Sequence, residues 1–202
     1  MVAGIAGLGV WLGQNLVSTV WQAWENRIFD LKVEEHEIPQ QPATVTRPQA
    51  GERPRTPDGS IIGRLTIPRL QLSAMVREGV DDTTLSLALG HVPSTALPGQ
   101  HGNIALAGHR DTLFRSLRGI KKNDLIRLET LSSGSYLYDV SAIEIVDPTE
   151  VSVLKTSESS ELTLVTCYPF NYIGPAPQRF IVKAQEVGRG PSGVKGRQIS
   201  FR

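Results

Sequence analysis

The sequence predicts a mainly β domain of seven or eight short strands, closed or nearly closed into a barrel. Three observations lead there. From residue 61 onward, short apolar runs and period-two alternations recur, each bounded by turn-forming residues. Gly and Pro are frequent, at 19 and 13 of 202 residues, which suits a turn-rich chain better than a helical bundle. Helical patterning in that region is limited to scraps of one or two turns. The length fits one medium domain with appendages. Charge is balanced, 21 Lys and Arg against 20 Asp and Glu, which argues against general nucleic-acid binding, since that needs a basic stripe or excess. A single cysteine excludes an internal disulfide and a Cys-x-x-Cys zinc cluster. No cofactor or metal is expected.

Residues 1–24 carry no charged side chain and include Ile5, Leu8, Val10, Trp11, Leu16 and Val20. At about 1.5 Å rise per residue, a helix of this length reaches across a bilayer. Gly4, Gly7, Gly9 and Gly13 dilute its hydrophobicity, so an amphipathic packing helix is the competing reading. A cleaved signal peptide fits less well, because a basic leading segment and a small-residue cleavage site are both missing. Trp21 and Trp24 suit an interfacial belt. The expectation is an uncleaved transmembrane anchor. Residues 25–60 read as a linker: a charged helical continuation with Ile28 and Leu31 on one side, then five prolines between residues 38 and 60 and almost no large apolar residues.

The folded domain is expected over residues 61–187. Residues 61–67 and 70–76 are apolar runs separated by a Pro68-Arg69 turn. Residues 82–90 look like a short helix with Asp82 or Thr83 as its cap and Gly90 as its stop. Residues 93–102 form a loop, and 103–107 a compact strand ending at Gly108-His109-Arg110. Asp111 then reads as the cap of a short helix over 112–118, closed by Gly119. Alternation is clear in 124–130, where Ile126 and Leu128 oppose Arg127 and Glu129, and in 136–146, where Tyr136, Tyr138 and Val140 share a face. After a turn and a helical scrap at 148–154, strands at 162–167 and 179–187 complete the set. Residues 188–202 read as a flexible basic tail.

Cys167, the only cysteine, ends a strand at the start of a loop. Cysteine is among the most buried residue types, so a small core residue is one reading and a nucleophile the other. A nucleophile needs a proton partner, a donor for the oxyanion, and solvent. Of the four histidines, His36 falls in the linker, His91 and His101 in Gly- and Pro-rich loops, and His109 at a strand end, where catalytic groups concentrate. Arg179 begins the strand after the cysteine. If the two strands pair as a hairpin, closure brings Cys167 near Arg179, whose guanidinium would favour the thiolate and donate to an oxyanion. Otherwise Arg179 is one basic residue on an exposed strand face. Asp111 is either an acid orienting His109 or a helix cap.

Thr163-Leu-Val-Thr-Cys167 resembles the Thr-Leu-x-Thr-Cys signature of sortases, the cysteine transpeptidases of bacterial cell surfaces. Ala107-Gly-His109 resembles their histidine motif, and Arg179 their arginine, in the same order along the chain. Thr-Cys-Tyr-Pro-Phe and Ala-Pro-Gln-Arg-Phe are most similar to the class D branch. The resemblance implies an eight-stranded sortase barrel with the active site at one open end and a membrane anchor that places the domain outside the cell membrane. It implies that Cys167 attacks the threonine carbonyl of a Leu-Pro-x-Thr-(Gly/Ala)-type signal on a surface protein or pilin. His109 would then serve the leaving and incoming amines, and Arg179 the substrate backbone and oxyanion. Thr166 and Ala107 are expected to line the peptide groove. The amine acceptor would belong to the cell envelope or be a pilin lysine. Tyr168-Pro169-Phe170 departs from a more polar family pattern and bears on the pocket for the residue after threonine. A thiol peptidase hydrolysing the same signal, and a non-catalytic peptide-binding barrel, are the competing functions.

Overall fold

Strand structure starts where the proline-rich composition gives way to alternation. The computed structural model describes Arg27, Phe29 and residues 57–131, 134–156 and 158–190. Its strands are β1 (Ile61–Ile67), β2 (Leu72–Glu78), β3 (Leu89–His91), β4 (Asn103–Ala107), β5 (Leu125–Thr130), β6 (Ser135–Val146), β7 (Glu161–Tyr168) and β8 (Gln178–Gly190). The α-helix α1 (Asp82–Leu87) and the 3₁₀ turns Pro68–Leu70, Arg115–Gly119 and Val151–Leu154 lie between the strands. The strands close into a barrel in the order β1-β2-β3-β4-β7-β8-β6-β5, with β5 returning antiparallel to β1. The mainly β, eight-stranded closed barrel expected from the sequence is therefore the fold.

Two pairings are parallel, β2 with β3 and β4 with β7; the others are antiparallel. Side-chain alternation sorts each strand into an inner and an outer face. Ile104 and Leu106 of β4, Leu162 and Leu164 of β7, and Val182 and Ala184 of β8 enter one core cluster. The same cluster takes Ile126, Leu128, Tyr136, Tyr138 and Val140 from β5 and β6, the face that the alternation predicts. Ala107, Val165, Cys167 and Arg179 have the opposite parity and lie on the outer face of the barrel wall.

The local differences from the sequence reading have physical causes. Helix α1 is capped by Asp81, not by Asp82 or Thr83: its Oδ1 accepts from the backbone N–H groups of Thr83 and Thr84 at 3.0 and 3.1 Å, and its Oδ2 from the Thr84 hydroxyl at 2.7 Å. Gly90 does not stop the helix but lies inside β3, paired to both β2 and β4. A methyl there would sit 2.3 Å from the Gly79 carbonyl oxygen, so the glycine serves close strand approach. Asp111 caps nothing: the following segment is turn, then the 3₁₀ turn Arg115–Gly119, which begins without a side-chain cap. β8 runs further than expected. Gly188, Arg189 and Gly190 pair with Leu137, Tyr136 and Ser135, extending β8. Arg189 lies 5.3 Å over the Tyr136 ring and pairs with Glu186, contacts that composition alone does not reveal.

The expected anchor over residues 1–24 lies outside the described residues, as do most of residues 25–60 and all of 191–202. Within 25–60, Phe29 is helical and almost fully buried against Met75 and Ala88, with Ile61 and Leu131 at the edge. The Arg64 guanidinium stands 5.0 Å over its ring. At this point the stretch read as linker is docked on the barrel. Among the described residues no helix is long and apolar enough to cross a membrane.

A polar brace fixes the segment between β4 and β5. Arg69 makes a two-pronged ion pair with Asp124 and donates to the Gly119 carbonyl at 2.6 Å, while Asp124 also accepts from the Lys121 N–H at 2.7 Å. The Arg69 hydrogen bond is the main reason the Asp124 carboxyl is held below its usual range. A lowered folded-state pKa stabilises above the ordinary carboxylate range and is lost as pH falls through the folded value. Asp124→Asn should therefore lower Tm by about 2–4 °C near neutral pH. In a pH series of melting curves the gap between the two proteins should narrow toward acid; a gap that stays constant or widens would contradict this role.

Candidate active site

Residue 109 is positioned by the parallel β4–β7 pair. Ala107 is in register with Val165, and one residue further the Gly108 N–H still donates to the Val165 carbonyl at 3.2 Å. Carried two residues past the end of β4, that register points His109 toward Cys167. On the other side, Cys167 is in register with Arg179 across the antiparallel β7–β8 pair. Neighbouring strands lie about 4.8 Å apart, so Cys167 and Arg179 are direct neighbours across β7 and β8, and His109, two residues past the end of β4, completes a row with the cysteine in the centre. The row sits on the outer face at the ends of the strands rather than in the open mouth of the barrel, because the inner positions are filled by core side chains.

His109 is exposed, and Cys167 and Arg179 are partly buried, so solvent and a peptide can reach the row. Arg179 spends Nη1 on the carbonyls of Ala176 (3.3 Å) and Gln178 (3.0 Å). These bonds orient the guanidinium, and its Nε and Nη2 donors have no partner among the described residues. The fork geometry of a guanidinium suits a backbone carbonyl or an oxyanion. His91 takes no part. It is buried, with Nδ1 2.9 Å from Glu78 and Nε2 3.0 Å from the Ala96 carbonyl, and it pins the loop over 93–102. His101 is exposed in that loop, and His36 lies outside the described residues. Asp111 makes no hydrogen bond to His109 among the described residues and does not orient the ring.

Thr166, read from the sequence as a groove residue, is buried at 2% exposure, and its hydroxyl donates to the Gly108 carbonyl at 2.7 Å. It fixes the backbone just ahead of His109. Ala107 is partly exposed on the same outer face as Cys167. Gly108 has no room for a side chain: a methyl would lie 2.7 Å from Leu89 and 2.8 Å from Phe114. Tyr168 and Phe170 turn onto Phe180, with ring centroids 6.1 and 5.1 Å away, and pack on the core. The apolar loop start thus seals the barrel beneath the site.

Arg110 was not anticipated. Its Nη1 donates to the Pro169 carbonyl at 3.1 Å, and its Nη2 to those of Tyr172 (2.7 Å) and Gly174 (3.1 Å). The guanidinium also stands 5.9 Å over the Tyr172 ring. It ties the loop between Cys167 and Arg179 to the His109 segment. The available signal was an arginine next to the histidine, facing a loop whose prolines and glycine leave carbonyls unpaired.

A model of the sortase domain family matches residues 65–187. The chain belongs to the sortase family. Sortase D of Bacillus subtilis (strain 168) is 38% identical over 140 residues, covering 69% of each chain. Sortase A of Listeria monocytogenes is 32% identical over 112 residues, 54% of this chain and 50% of that protein. Among solved structures, a Clostridium perfringens Sortase D5 transpeptidase shares the fold at a TM-score of 0.63, with 24% identity, over 85% of this chain and 99% of that one. Sortase A from Corynebacterium diphtheriae superposes with a TM-score of 0.61 and 29% identity over 66% and 64% of the two chains. Within the family this sortase is most like class D, and it is an enzyme of the cysteine transpeptidase type.

In this sortase Arg110 is a positioning residue. Arg110→Ala should lower kcat/KM for peptide cleavage by roughly 10–100-fold, the scale on which a misplaced site loses rate, and should expose residues 171–177 to limited proteolysis. Arg110→Lys should recover only part of the rate, since one ammonium cannot reach three carbonyls. Wild-type cleavage with a protected loop would remove Arg110 from this role.

Proposed function

We propose that this sortase cleaves a Leu-Pro-x-Thr-(Gly/Ala)-type sorting signal and transfers the acyl part to an amine, through a thioacyl intermediate on Cys167. Sortases act on surface proteins that carry sorting signals; the motif, the intermediate and the acceptor are inferences for this chain. The observation that carries the reading is the cross-strand pairing of Cys167 with Arg179, with His109 just past the end of the neighbouring strand β4. The Cys167 thiolate attacks the threonine carbonyl, and the negative charge on the carbonyl oxygen is met by Arg179. The C–N bond breaks as His109 gives a proton to the departing amine, leaving a thioester. An incoming amine attacks that thioester, His109 takes the proton from its nitrogen, the new amide forms, and sulfur leaves as thiolate.

The membrane-proximal part of the reading rests on residues 1–24, whose uncharged apolar composition suits an anchor. We assign the enzyme to the cell membrane, single-pass, with the barrel outside. The acceptor is then an amine of the envelope or a pilin lysine.

The full-length protein incubated with a panel of Leu-Pro-x-Thr peptides should gain, by mass spectrometry, the mass of the acyl fragment on Cys167, and Cys167→Ala should gain none. Arg179→Ala should slow acylation by roughly 10²–10³-fold, the usual cost of losing an oxyanion donor. No adduct with any peptide, together with a thiol inert to alkylation, would sink the proposal.

A further inference from the structure

Beside the catalytic row lies a concavity of about 200 Å³ that the reaction as described leaves unused. Its walls are Arg110, Asp111, Arg115, Arg118, Phe170 and Asn171. Arg110 is committed to the loop carbonyls. Arg115 and Arg118 stand three apart on a 3₁₀ turn, where such side chains eclipse one another. Both are exposed, and neither has a carboxylate or hydrogen-bond partner among the described residues. Asp111 is the single acidic group on the wall, so the concavity keeps a net positive charge. Two neighbouring guanidinium groups repel, and an anion between them would relieve that.

The position of the concavity in the chain sets which reactant meets it. Arg110 and Asp111 directly follow His109, and Phe170 and Asn171 follow Cys167 by three and four residues. The concavity is thus built from the His109 segment and the start of the loop, whereas Arg179 flanks Cys167 from the other strand. His109 serves the amine that leaves and the amine that enters, and by reversibility of the step both occupy one place. The amine-side reactant therefore extends toward Arg115 and Arg118. We propose that this concavity binds a carboxylate carried by the acceptor amine, so that the preferred nucleophile is an amino acid or peptide amine with a free carboxylate within reach. This rests on the transpeptidase reading above.

The test partitions the acyl-enzyme of the full-length protein between water and added amines, using the peptide that acylates Cys167. Glycine, β-alanine, 4-aminobutyrate and 6-aminohexanoate are each compared with their amides at matched free-base concentration. The series acts as a ruler from amine to carboxylate. For at least one length the acid should outcompete its amide by roughly three- to tenfold, the effect expected of two partly exposed ion pairs. That preference should collapse to near unity in the Arg115→Gln/Arg118→Gln double variant, fade with added salt, and turn toward the amide in Arg118→Glu. The proposal is overturned if no acid beats its amide in the wild type, or if the preference survives in the double variant. Thioester formation without amine is read separately: its absence overturns the transpeptidase reading and this proposal with it, whereas acylation without carboxylate preference overturns this proposal alone.

Discussion

Everything at the site depends on a parallel pairing between two strands far apart in sequence. β4 and β7 lie side by side in register from Asn103 with Glu161 to Ala107 with Val165. A parallel pair cannot be joined by a tight turn, and the chain must return to the same end before the second strand starts. Here the return includes β5 and β6, which pair with β1 and β8 to close the barrel, so the stretch joining the two halves of the site is itself part of the wall. The antiparallel β7–β8 pair supplies the third residue more cheaply, since its two strands are neighbours in sequence. The site thus combines one local and one long-range contact, and the long-range one ties catalytic geometry to the integrity of the whole wall.

The outer-face location follows from packing. Inner positions of a small barrel are filled by side chains, and here they are Leu, Ile, Val, Ala and aromatic residues. A peptide approaching from solvent meets the opposite parity, and Cys167 is on that parity because Leu162 and Leu164 are on the other. The core pattern of β7 therefore decides which residue becomes the nucleophile. Thr166, between Val165 and Cys167, is turned inward and used as a hydrogen-bond donor to the His109 segment.

Much of this was legible in the sequence. Strand existence in β1, β2, β4, β5, β6, β7 and β8 came from alternation and apolar runs, parity from the alternation in β5 and β6, and the expectation of Cys167 near Arg179 from hairpin closure. His109 was less determined, because position at a strand end does not say which strand will lie next to it. Local polar signals misled where several satisfied the same rule: Asp81, Asp82 and Thr83 are all cap formers, and only geometry selects Asp81. Gly90 has the composition of a helix stop and the role of a close-approach glycine. Arg110 was harder to find because its hydrogen-bond partners are backbone carbonyls in the segment 169–177, remote in sequence, and carbonyls leave no side-chain signature.

That last feature has a bearing on how such an enzyme can vary. Arg110 holds the loop through three main-chain oxygens, which every residue type offers. Apart from the Tyr172 ring under the guanidinium, the latch makes no use of the side chains the loop displays, and Ile173, 97% exposed at the tip, is presented outward without being used to hold the loop in place. Residues at the tip are free to diversify toward different protein surfaces while the distance between nucleophile and acid–base partner stays constant. Recognition and chemistry are joined mechanically but uncoupled in sequence.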